Sequence, residues 1–175
     1  MVLKLLLALL VAANIAMSTD IVKDGTANDV QINESTEMTE PVDGSYGEDL
    51  NYDAVYSLVD IAIFESDEFA KASVNKDYDK IENLLKNLVE TSQYELYYAY
   101  FGDESGYFKM YPDEQLPEGY DFRERPTYTS ALEEDVFISE PYEDFITGRA
   151  IVTVAVSVYA DDTLIGVLGV DVYVN

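Results

Sequence analysis

A chain of 175 residues with 48% hydrophobic and 13% aromatic content holds one compact domain and has room for an additional segment. Its 35 Asp and Glu against 10 Lys and Arg give a formal charge of −25, a field that repels phosphate backbones and anionic lipid surfaces, so nucleic acid is not an expected partner. The chain has no Cys and no His, which excludes disulfides, thiolate chemistry, Cys-ligated metal centres, the Ser–His–Asp triad and the H-E-x-x-H zinc site.

Residues 1–18 read as a secretory signal peptide: Lys4 supplies the positive start, Leu5 to Ile15 is apolar apart from Asn14, and Ala16-Met17-Ser18 offers a small-residue cleavage site. The apolar run falls short of the ~20 residues that a spanning helix requires. Export with cleavage, to the periplasm or the medium, is therefore expected over an uncleaved anchor. Residues 19–49 carry nine acidic residues and one lysine among scattered Thr, Ser, Asn and Gly. Such a segment buries too little surface to offset its ordering entropy, which predicts an acidic disordered leader.

From residue 50 the pattern becomes periodic, and 50–175 is expected to be a single domain. Leu50 to about Ala72 places Ala54, Val55, Leu58, Val59, Ala62 and Ile63 at helical spacing. Asn75 or Asp77 can cap a second helix whose apolar face is Ile81, Leu84, Leu85, Leu88 and Val89. Tyr94 to Phe101 and Tyr107 to Tyr111 read as a hairpin around the turn Gly102–Gly106, and 111–120 reads as loop. Pro126 to Glu133 is a short helix with Pro in its first turn, and Val136 to Ser139 is a short strand. Ile151 to Tyr159 and Leu164 to Val174 form a closing strand pair around Ala160–Thr163. Helices first and antiparallel strands after them, without βαβ alternation, indicate an α+β domain on one antiparallel sheet.

The basic residues are the informative minority. All three Arg fall between 123 and 149, and no Lys follows Lys109. Arg123 and Arg125, in a Pro-bounded loop, can each recognise a carboxylate bidentately, either on a ligand or among the protein's own acids. Tyr120, Tyr128 and Tyr142 offer flat faces and hydroxyls, although tyrosine more often fills core space. Asp144 read by itself is an ordinary surface acid. Asp171 ends the apolar run from Ile165; it either faces solvent by strand alternation or is buried, where it needs a hydrogen-bonding or cationic partner. Asp103-Glu104 and Asp161-Asp162 lack the alternating ligand pattern of a calcium loop, and Gly166 and Gly169 lie within a strand rather than at a phosphate-binding turn. No catalytic residue, metal or cofactor is expected.

Four ordered segments carry a resemblance. They are Tyr100-Phe101-Gly102-Asp103-Glu104-Ser105-Gly106-Tyr107-Phe108, Gly119-Tyr120-Asp121-Phe122-Arg123-Glu124-Arg125-Pro126-Thr127-Tyr128, Glu140-Pro141-Tyr142-Glu143-Asp144 and Gly166-Val167-Leu168-Gly169-Val170-Asp171. Together, from about Asn83 to Asp171, they resemble the Cache domain, a PAS-like extracytoplasmic sensor, and in particular the membrane-distal module of double Cache chemoreceptors and sensor kinases. The resemblance implies a long N-terminal helix packed on a central antiparallel sheet, with ligand held between the sheet and the segment before the last strands. It further implies that Tyr120 and Arg125 hold a ligand carboxylate, and that Tyr128, Tyr142, Asp144 and Asp171 surround an ammonium group. At Thr127 the family's amino-acid binders carry Trp, so this chain departs from them at that position.

The expectation is a non-enzymatic small-molecule sensor module for an amino acid or related zwitterion, with amines and small organic acids as the wider ligand class. It would feed signal transduction or chemotaxis. Since the chain stops after the distal module, a membrane receptor or a second copy of the chain is the candidate protein partner. The alternative is an accessory interaction module with a vestigial pocket.

Overall fold

The computed structural model describes residues 52–94, 96–144 and 147–174. The expected signal peptide and leader lie outside the described residues. Two helices open the domain, α1 (Tyr52–Val74) and α2 (Tyr78–Thr91). There follow β1 (Leu96–Asp103), β2 (Phe108–Tyr111), a 3-10 turn (Phe122–Glu124) and α3 (Pro126–Glu134). The chain closes with β3 (Val136–Ile138), β4 (Tyr142–Glu143), β5 (Ala150–Ala160) and β6 (Thr163–Tyr173). The strands form one antiparallel sheet in the order β2-β1-β6-β5-β3, with β4 paired to β5 beside β3.

The helix boundaries follow local chemistry. Of the two candidate caps, Asp77 is the one used: its Oδ1 accepts from the Lys80 N–H at 3.1 Å and supplies an acceptor to the first turn of α2. The apolar positions of α1 (Val55, Leu58, Val59, Ala62) are buried, and Phe69 reaches Phe101 of β1 at 5.4 Å between ring centroids. Helix α1 lies on β5 and β6, and α2 lies beside it on β1 and β2. Each fully buried Leu, Val or Phe on this layer contributes about 1.5–3 kcal/mol of hydrophobic stabilisation.

The hairpin turn sits two residues later than its glycine suggests, because Asp103 is the organising residue. Its Oδ1 accepts from the Ser105 N–H at 2.9 Å, the Ser105 hydroxyl at 2.6 Å and the Tyr107 N–H at 3.1 Å. A carboxylate that closes its own loop in this way replaces water for two backbone donors. Gly102 instead stays in β1, where a Cβ would run into the ring of Phe122.

The other face of the sheet has strand parity opposite to the helix layer. Tyr98 and Tyr100 of β1, Met110 of β2, Ala155 of β5 and Val167 of β6 meet Phe122, Tyr128 and Ala131 from the 3-10 turn and α3. Phe122 is the hub, with centroids at 5.5 Å to Tyr100, 5.0 Å to Phe108 and 5.3 Å to Tyr128. This second layer positions the candidate site.

Candidate functional site

Six residues, Asp121-Phe122-Arg123-Glu124-Arg125-Pro126, encode a local device. Asp121 caps the 3-10 turn by accepting from the Arg123 N–H at 3.0 Å, and the Arg123 guanidinium folds back onto the same carboxylate at 2.6 Å. That pairing holds Asp121 down to a pKa of about 2. Phe122 plugs the turn into the core. Pro126 starts α3 and forces the preceding residue out of helical backbone, so Arg125 is extended (φ −82°, ψ 145°) between turn and helix. Arg125 is therefore displayed, whereas Arg123 is tied down.

The three arginines end in three different states. Arg123 is paired with Asp121, and Arg149 lies 3.2 Å over the ring of Tyr173. The Arg125 guanidinium makes no ion pair or hydrogen bond among the described residues; its contact is the face of Tyr120, 5.7 Å from the ring centroid. In a chain with 35 carboxylates, a half-buried Arg that pairs with none of those described is a candidate seat for an anion. It also caps α3 without any side-chain acceptor, so the positive end of the helix opens beside it.

The opposite charge lies on the sheet. Asp171 of β6 is 6% exposed and accepts from the Thr153 hydroxyl at 2.6 Å and the Tyr100 hydroxyl at 3.0 Å, both at Oδ1. Since Thr153 gives its single proton to Asp171, the 2.8 Å contact between Tyr142 and Thr153 has Tyr142 as donor. Burial pushes the Asp171 carboxyl up to about 7, the two hydroxyls pull it down, and the charge of Asp144 pushes it up again. Among the described residues no cation pairs with it. Its solvation rests on hydroxyl groups instead of a salt bridge. Tyr100 in turn is pushed far above the ordinary phenol range by burial and by Asp171, so it remains a donor.

Tyr120 connects the two ends. Its phenol is pushed up to about 12 by burial, opposed by the charge of Arg125 and reinforced by that of Asp171. Tyr142 likewise senses Asp171, Asp144 and Tyr120. Five of the residues singled out in the sequence (Tyr120, Arg125, Tyr142, Asp144, Asp171) therefore share one electrostatic neighbourhood. Asp144, which by itself reads as a surface acid, is 8% exposed, and its Oδ2 accepts from the Thr147 N–H at 2.8 Å and hydroxyl at 2.6 Å. It contributes its charge to the site while holding its own loop.

Tyr128 and Thr127 sit differently. The Tyr128 ring is 4% exposed and edge-on to Phe122, and its hydroxyl senses Glu104, Asp103, Arg123 and Asp121 instead of Asp171. From α3 it packs into the aromatic layer against the sheet. Thr127 is half-buried in the first turn of α3, next to Arg125.

Two members of the cluster escape a motif-based reading, Tyr100 and Thr153. Strand register brings them in: Thr153 is directly opposite Asp171, and Tyr100 is opposite Gly169, one position diagonal to it. A Cβ at residue 169 would overlap the outer half of the Tyr100 ring. Gly169 is thus the gap across which Tyr100 reaches Asp171. The available signal was Thr153, Ser157, Gly169 and Asp171 falling on one strand parity, small or polar where β-branched residues dominate.

A shallow cleft of about 310 Å³ at the other end of the sheet is lined by Ser73, Lys76, Asp103 and Thr163 among others, but Asp103 is committed to its turn there. Among the described residues no three acids converge where a metal ion could be held. No helix among them is long and apolar enough to cross a membrane.

Comparison with known proteins bears on the family and the fold. Residues 63–175 match the family model described as methyl-accepting chemotaxis protein-like, first PDC sensor domain. The chain is 32% identical over 101 residues to a probable methyl-accepting chemotaxis protein of Bacillus thuringiensis subsp. konkukian, covering 55% of this chain and 15% of that protein. It is 37% identical over 93 residues to the methyl-accepting chemotaxis protein McpA of Pseudomonas putida, covering 50% of this chain and 14% of the relative. Among solved structures it is similar to the ligand-binding domain of the Pseudomonas fluorescens chemoreceptor CtaA. The L-serine complex has a TM-score of 0.58 at 26% identity, covering 69% of this chain and 52% of that one. The L-valine complex has a TM-score of 0.57 at 27% identity, covering 69% and 53%. The chain thus spans about half the length of those solved domains and about one seventh of the curated relatives.

Proposed function

The chain belongs to the family of methyl-accepting chemotaxis protein-like first PDC sensor domains, and from that premise we propose that it is an extracytoplasmic, non-enzymatic sensor module whose ligand is an α-amino acid or closely related zwitterion. One observation carries the reading: among the described residues Arg125 pairs with no carboxylate and the buried Asp171 with no cation, and Tyr120 is under the influence of both. A zwitterion supplies what each end lacks.

In this reading the ligand carboxylate takes the Arg125 fork and the open first turn of α3, beside the Thr127 backbone. Its ammonium group takes Asp171 and the hydroxyls around it, with Asp144 adding negative field. Tyr120 and Tyr142 flank the backbone of the ligand. The ligand side chain is left to the Thr127 end, where the smaller residue leaves room. Export through residues 1–18, and a membrane receptor or second copy of the chain as the recipient of the signal, belong to the same proposal.

Thermal unfolding in the presence of each of the twenty L-amino acids tests it. A ligand at 100 times its dissociation constant adds about 2.7 kcal/mol to the folded state. At least one α-amino acid is expected to stabilise the chain saturably, and Arg125→Ala is expected to remove that response while leaving the unliganded melting temperature near wild type. A panel without any stabilisation, or a response that survives Arg125→Ala, would overturn the assignment.

A further inference from the structure

The acidic end of the site contains more machinery than the ligand contacts account for. Both hydrogen bonds to Asp171 run to Oδ1. Asp171 keeps 6% exposure, and its Oδ2 takes no hydrogen bond among the described residues. One oxygen is anchored and the other is presented.

We propose that Thr153 and Tyr100 are positioning residues of the ammonium seat: their hydroxyls grip one oxygen of Asp171 and turn its second oxygen to the ligand. This rests on the reading of Asp171 as the residue that meets the ligand's ammonium group. Thr153 is fully buried and aligned from both sides, its backbone N–H donating to the Ser139 hydroxyl at 2.9 Å and its Oγ1 accepting from Tyr142. Tyr100 is fixed by the hub ring of Phe122 and by the gap at Gly169. Both side chains are held by contacts within the protein.

The groups around Asp171 make this arrangement consequential. From β1 comes the Tyr100 phenol, from β4 the Tyr142 phenol, from the following loop the Asp144 carboxylate, and from the segment before the 3-10 turn the Tyr120 phenol. Tyr98, opposite Asp171 in the sheet, is engaged with the Tyr97 hydroxyl at 3.0 Å. Among the described residues no cation acts on this carboxylate, and burial pushes its pKa to about 7. Hydroxyl donation is what opposes protonation here. Removing one donor shifts the acid-side limit of binding, because a protonated Asp171 cannot pair with an ammonium ion.

The full chain, carrying ¹³C at the aspartate carboxyl carbons, gives a direct readout. Hydrogen bonds to charged groups are strong enough that losing one moves a titration midpoint by about one pH unit. Thr153→Val is expected to move the Asp171 midpoint up by that amount, Tyr100→Phe to move it in the same direction, and Thr153→Ser to restore it. Titrated with L-serine and L-valine, Thr153→Val is expected to bind about fivefold more weakly near pH 7, with the difference nearly closing by about pH 8.5, since affinity scales with the ionised fraction. A purely structural defect would persist at every pH. Wild-type binding combined with an unmoved Asp171 midpoint in both variants would overturn the positioning roles and leave the zwitterion reading intact. Failure of the wild-type chain to bind any α-amino acid at any pH would overturn that reading, and the ammonium seat with it.

Discussion

Replacing Gly169 by alanine adds one methyl group in the middle of β6, and the structure says where it goes. An ideal Cβ there overlaps the Cε2 and Cζ end of the Tyr100 ring. That ring cannot swing freely: it is 7% exposed, edge-on to Phe122 at 5.5 Å and close to Phe108 at 6.2 Å. Overpacking of this kind costs about 1–3 kcal/mol. Displacing the phenol from Asp171 removes a hydrogen bond to a charged group, about 1.5–3 kcal/mol. The better backbone entropy of alanine returns about 0.5–1 kcal/mol. The net expectation is a loss of about 2–5 kcal/mol, a large share of the ~5–15 kcal/mol that holds a typical domain together. For a domain of this size that lowers the melting temperature by roughly 10–20 °C. Urea unfolding of four proteins (wild type, Gly169→Ala, Tyr100→Ala and the double variant) isolates the cause. With the ring removed, Gly169→Ala should be close to neutral, giving a coupling of about 2 kcal/mol or more. An equal penalty in both backgrounds would refute the claim that Gly169 exists to let Tyr100 across.

Two further predictions concern the same layer. The Asp171 carboxyl is raised to about 7 in the fold, so the folded state holds a proton that the unfolded chain has released above its ordinary pKa of about 4. Stability of the ligand-free chain should therefore rise as pH falls from about 8 to about 4, by up to about 4 kcal/mol from this residue. Asp171→Asn should flatten that slope in a series of thermal melts, and an unchanged slope would remove Asp171 as its source. Phe122→Ala empties the hub of the aromatic layer and should cost about 3–5 kcal/mol in urea unfolding. Because Phe122 also seats the turn that displays Arg125, the amino-acid response should weaken in the same variant even at temperatures where it stays folded.

The elements of this fold are legible in the chain because each is written in local chemistry. Asp77 before an apolar face at helical spacing, Pro126 after Arg125 and the β-branched run Ile151–Tyr159 each specify an element within a few residues. The discrepancies are where side chains decide. The Asp103 carboxylate moves the hairpin turn past Gly102, and the 3-10 turn at Phe122 and the two-residue β4 are too short to leave a period. The site divides in the same way. Arg125 stands out because cations are scarce, and the resemblance brings together Tyr120, Tyr142, Asp144 and Asp171. Tyr100 and Thr153 join Asp171 only through strand register, and register between β1 and β6 is a non-local property. The resemblance implies a ligand contact for Tyr128, and what the sequence does not show is that its ring also packs edge-on against Phe122.

The strand order also governs when the domain can form. β6, residues 163–173, is the last of the described strands in sequence order, yet it sits between β1 and β5 at the centre of the sheet. A nascent chain without it has a two-stranded hairpin on one side, β5 with its short partners on the other, and no backbone ladder joining them. Tyr100 and Asp171 meet across 71 residues, so closing the site and closing the sheet are the same event. Such long-range closure is slow compared with helix formation, because loop entropy must be lost before any contact rewards it. Helices α1 and α2 can fluctuate into shape early, but the aromatic layer waits for β6. A sheet with this topology remains open at its centre until β6 has been delivered.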